Sequence, residues 1–110
     1  TVEIKNNYAE ILSVLGDDLQ SAADMALQRY LIEVITGKIA ELREKEAGFQ
    51  TKYSCDYPTF SRRAAEDEEF VAETEKNVSR LWEIDQAEWE FCHKGIGDWI
   101  KKLQSILLMS

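Results

Sequence analysis

The sequence is poor in several things that chemistry or structure would need. It has one proline, five glycines, one histidine and two cysteines in 110 residues, and no run of apolar residues near the ~20 that a bilayer-spanning helix requires. A single His leaves a serine or cysteine triad with no alternative base, and Cys92 adjacent to His93 in sequence points elsewhere on a helix. No glycine-rich phosphate loop is present, because Gly95 and Gly97 fall inside an apolar helical stripe rather than between a strand and a helix. Cys55 and Cys92 are too few for a disulfide scaffold and lack CxxC spacing, so both are expected to be reduced thiols. Basic charge is also short. Thirteen Lys and Arg face 21 Asp and Glu, a net charge of −8, which removes the chain-wide basic footprint of a nucleic-acid binder. The opening TVEIKN has neither the basic nor the apolar region of a secretory signal, and a cytoplasmic, non-membrane location is expected.

What is present is helical periodicity. Thr1 to Lys5 alternate, with Val2 and Ile4 on one side and Thr1, Glu3 and Lys5 on the other, which predicts a short strand needing a partner. Tyr8, Ile11, Leu12 and Leu15 predict a short first helix stopped at Gly16. Asp17 and Gln20 resemble a capping box, and positions 19, 22, 23, 26, 27, 30, 31, 34, 35, 39 and 42 predict a long second helix over about 18–46. After a fading of periodicity from Gly48, Pro58 suits the first turn of a short helix carrying Phe60 and Ala64. The acidic segment EDEEFVAETE, residues 66–75, reads as a solvated helix face or connector.

Residues 82, 85, 89, 92, 96, 99, 103 and 106 form an unbroken heptad series: Trp82, Asp85, Trp89, Cys92, Ile96, Trp99, Leu103 and Ile106. A helix over 78–108 would be about 45 Å long, beyond the ~30–35 Å width of a compact domain of this size. Either Gly95 and Gly97 break it, or the second helix and another chain cover it; the second is preferred. The fold class expected is therefore mainly α, with a short N-terminal strand, a short helix and long helices in an intertwined helical dimer. Residues 1–46 would dimerise and 47–110 would form a helical extension within one compact unit.

Candidate sites are few. Glu90 and His93 have the ExxH spacing of a carboxylate-bridged di-iron helix, but the heptad places Trp89 and Cys92 innermost, and no metal or cofactor is expected. Arg62 and Arg63 are read as paired with the following acids, and Lys101 and Lys102 as suiting the helix dipole. The heptad tryptophans read chiefly as packing residues; where the Trp82 to Trp89 end is instead a docking surface, Trp82, Asp85 and Trp89 are the candidate partner-binding residues, with the lone carboxylate on the seam either fixing register or meeting a cation.

The order of strand, short helix, Gly turn and long helix in VEIKNNYAEILSVLGDDLQSAADMALQRYLIEV, with ALQRYL from Ala26 to Leu31 as its nearest local match, resembles the ribbon-helix-helix family of bacterial regulators and antitoxins. The resemblance covers the first third of the chain. It implies two chains pairing strands into a ribbon, with Thr1, Glu3 and Lys5 facing a DNA major groove. The departures are Asp17 and Asp18, which stand where a helix start would meet a phosphate, and a balance of two bases against five acids over residues 1–31. DNA binding by the isolated protein is accordingly not expected. The acidic, Trp-rich remainder resembles the toxin-neutralising part of small prokaryotic antitoxins. The resulting expectation is an antitoxin-like homodimer, not an enzyme, that binds a basic, toxin-like protein. The alternatives are a helical adaptor or structural dimer without a DNA role, and a metal-binding bundle using Glu90 and His93.

Overall fold

A computed structural model describes residues 6–15 and 19–109, and it is all-α: helices α1 (Asn6–Leu15), α2 (Leu19–Tyr53), α3 (Tyr57–Glu66), α4 (Glu68–Asn77) and α5 (Trp82–Leu108) follow one another with no strand among the described residues. The class expected from the sequence, mainly α with a short N-terminal strand in an intertwined helical dimer, is therefore corrected to all-α. The alternation at Thr1 to Lys5 lies outside the described residues. Five residues of period two carry too little burial to demand a strand where every following element has helical spacing.

Two long helices define the shape. At 1.5 Å per residue α2 is about 52 Å long and α5 about 40 Å, and they run antiparallel, with Gln28 meeting Ile106 at one end and Tyr53 meeting Asp85 at the other. The result measures 66 × 23 × 22 Å, with a radius of gyration of 21.4 Å against about 13 Å for a compact domain of this length. The expected compact unit is thus a rod. α1 packs on the start of α2, where the small Ala22 and Ala23 are buried.

The second helix outruns its expected end at residue 46 and reaches Tyr53. Phe49 and Tyr53 continue the stripe, and their burial in an aromatic cluster offsets the helix propensity lost at Gly48. The helix stops one residue later, where Ser54 takes the left-handed conformation (φ 57°) usual just past a helix end. Asp56 then caps α3 by accepting from Thr59 N at 2.9 Å, and Pro58 sits in the first turn. Asp67 both ends α3 and caps α4, accepting from Phe70 N at 3.1 Å. The acidic segment is consequently an ordered helix and not a connector. α5 runs unbroken through Gly95 and Gly97. A methyl at Gly95 would lie 3.0 Å from Leu42 Cδ1, so its bare backbone lets the two long helices approach closely.

The core gathers at one end of the rod. Tyr53, Phe60, Trp82 and Trp89 form its centre, with Phe49, Tyr57, Phe70 and Val71 packed around them. Away from this knot, Ile35 and Ile39 are the buried hydrophobics of α2 facing the seam, while Ile96, Trp99, Leu103 and Ile106 of α5 are half-buried.

Candidate functional site

Trp82, Asp85 and Trp89 are brought together, but as parts of the knot. Trp89 is fully buried, with Phe60, Phe49, Tyr57 and Tyr53 rings at 5.1, 5.6, 5.7 and 5.9 Å. Its Nε1 donates to Glu46 Oε2 at 3.1 Å. Trp82 is 9% exposed and donates from Nε1 to Glu75 Oε1 at 3.0 Å. A partner would reach neither ring without opening the core.

Asp85 is held by two adjacent residues at the C-terminal end of α2. Lys52 Nζ donates to its Oδ2 at 2.7 Å and Tyr53 Oη to the same oxygen at 2.5 Å. Partial burial pushes this carboxyl up, but the two hydrogen bonds and the Lys52 charge outweigh it and hold Asp85 below the usual carboxylate range. Burial, then the bond to Asp85, pushes the Tyr53 phenol well up. The carboxylate on the apolar seam thus pins the C-terminal end of α2 to the start of α5, which is the register role the sequence raised.

Glu90 and His93 do not converge. Glu90 Oε1 accepts from Lys94 Nζ at 2.6 Å, whereas His93 Nδ1 lies 2.9 Å from Glu46 Oε2. No group of three metal-ligating side chains forms among the described residues. Glu46, serving both Trp89 and His93, is the site residue that sequence reasoning missed; its signal was a carboxylate at a stripe position of α2. Cys92 is buried and Cys55 partly so, both unpaired, and burial pushes both thiols up. Arg62 and Arg63 line a shallow groove with Glu66, Asp67, Glu68 and Glu69, and the Arg63 guanidinium lies 5.0 Å from the centre of the Phe70 ring. Lys102 sits over Trp99 at 4.5 Å. Thr1, Glu3 and Lys5, the DNA-facing candidates, lie outside the described residues.

The feature the geometry adds is a separation of charge. Residues 66–90 hold ten acids against Lys76 and Arg80, a balance of −8, while the rest of the chain holds eleven acids and eleven bases. The whole net charge therefore sits on the stretch from the end of α3 through α4 to the first third of α5, which the fold places around the aromatic knot. Four of the ten acids have local work: Asp67 caps α4, Glu75 meets Trp82, Asp85 meets Lys52, and Glu90 meets Lys94. Glu66, Glu68, Glu69, Glu73, Glu83 and Glu88 are exposed and take no ion pair among the described residues. Leu81, Ile84 and Phe91, at 63%, 63% and 70% exposed, stand among them. Uncompensated negative charge and exposed apolar area thus share one end of the rod.

No helix among the described residues is long and apolar enough to cross a membrane. No family model matches the chain, and neither does any curated protein or solved structure with which it was compared.

Proposed function

We propose that the chain is an antitoxin-like binding protein that takes a basic protein partner on its acidic end and self-associates through its N-terminal half. The observation that carries this reading is the confinement of the entire net charge of −8 to residues 66–90, on the outside of a rigid aromatic knot. Six exposed and unpaired carboxylates repel one another at low salt, and a cationic partner relieves that repulsion. The role is binding rather than catalysis, and DNA is not a partner of the isolated chain, because phosphate neutralisation needs basic charge that this end lacks.

The test is isothermal titration of the full chain with a Lys/Arg-rich peptide over a series of salt concentrations, beside the triple variant E68Q/E69Q/E73Q. Binding that weakens with salt and is largely lost in the variant is the expected result. Equal binding by the variant, or none by the wild type, sinks the reading. The helical adaptor or structural dimer is a second reading, favoured by the exposed apolar residues at the opposite end of the rod: Met25, Leu27, Leu31, Val34 and Met109.

A further inference from the structure

The end of the rod away from the knot presents an apolar strip on α2 that α5 does not cover. Asp24, Leu27, Leu31, Val34 and Lys38 are spaced by three, four, three and four residues, close enough to one helical track that all five share a face. Leu27, Leu31 and Val34 are 42%, 43% and 37% exposed, whereas Ile35 and Ile39, turned toward α5, are buried. Leu27 and Leu31 also line one groove with Ile106 of α5 and Met109 just past its end, so the strip continues onto the second long helix.

Two observations say what covers it. The first is charge. Asp24 and Lys38 each lie seven residues from Leu31, and both are exposed. Asp24 accepts one hydrogen bond, from Gln20 at 2.9 Å, and Lys38 takes no ion pair among the described residues. A two-fold contact must be self-complementary, residue i meeting j while j meets i. A two-fold axis at Leu31 with the α2 helices antiparallel sets Asp24 against Lys38 of the other copy twice, and Leu27 beside Val34. The second is area. The chain exposes 8483 Å², where a compact monomer of its mass exposes roughly 6,200 Å², an excess of roughly 2,300 Å². A stable dimer needs only about 800 Å² from each partner.

We infer that this face receives a second copy of the chain, α2 against α2 in antiparallel register centred on Leu31, with Ile106 and Met109 at its edge. Because α5 lies to one side of the strip in each copy, the two-fold brings both hairpins together as a four-helix arrangement at this end. The acidic knots then project at the two far ends, with their like charges apart. The inference rests on the self-association part of the reading above and fixes its surface.

The experiment is sedimentation velocity of the full chain at micromolar concentrations, with helicity by circular dichroism as the folding control. The wild type should sediment at twice 12.7 kDa. Leu31→Asp sets two carboxylates together at the axis and should weaken the dimer at least about thirty-fold, as loss of a central anchor does, with helicity kept. Lys38→Asp should weaken it several-fold, and D24K/K38D should restore it. A monomeric wild type overturns the inference and the self-association with it. A dimer indifferent to Leu31→Asp overturns this face and leaves self-association standing, and failure of the double exchange to rescue overturns the antiparallel register.

Discussion

Trp89→Ala removes the centre of the knot. The side chain is fully buried, contacts four aromatic rings, and donates the hydrogen bond that occupies Glu46. Truncating a core Trp costs about 3–5 kcal/mol through lost transfer and the cavity left behind. Pairwise ring contacts add about 0.5–1.5 kcal/mol each where geometry is favourable. Four such contacts around one ring cannot all relax inward, because α2 supplies two of the rings and α3 the other two, from different sides of the cavity. The loss is expected at the upper end of the range, about 4–5 kcal/mol, which is a large part of the total stability of a domain. Urea unfolding followed by circular dichroism at 222 nm measures it. Trp99→Ala is the control: that residue is half-buried on the seam and should cost distinctly less. A Trp89→Ala loss under about 1 kcal/mol, or one no greater than that of Trp99→Ala, would refute the reasoning.

Asp85 has a depressed pKa in the fold, so its contribution to stability is fully present above the ordinary value of 3.8 and is lost as pH falls through the lower folded value. Acid unfolding should thus be less steep in Asp85→Asn, which is also less stable at neutral pH; identical acid profiles would contradict this. Gly97→Ala meets nothing within 4 Å and should raise stability by about 0.5–1 kcal/mol in thermal melts. Gly95→Ala should gain less, since its methyl presses on Leu42. Asp67→Ala removes the cap of α4 and should cost about 1 kcal/mol in the same melts.

The heptad on α5 was legible in the sequence because all eight of its positions are buried or half-buried along one side of the helix. Pro58 likewise marked α3, since a proline in a first turn has a local cause. The end of α2 was not legible. Gly48 looked like a stop, and Glu46 interrupted the apolar stripe that Phe49 and Tyr53 resume. Only the approach of α5 shows why a carboxylate belongs there, since Trp89 is 43 residues away in sequence. The same holds for Asp85: its isolation on an apolar seam was visible, but its partners Lys52 and Tyr53 come from another helix. The heptad positions of the tryptophans already favoured packing over docking, and Trp82 and Trp89 are buried; what the sequence did not show is which rings from other helices enclose them.

Placing the knot beside the connection between the long helices also sets an order of assembly. Tyr53 and Asp85 are 32 residues apart in sequence, whereas Gln28 and Ile106 are 78 apart. Closing the longer loop first would cost about 0.8 kcal/mol more chain entropy than closing the shorter one. Once the aromatic end has formed, each further contact along α2 and α5 closes only a few additional residues. The hairpin is therefore expected to fold as a zipper, from the knot outward, with its most distant contacts closing last.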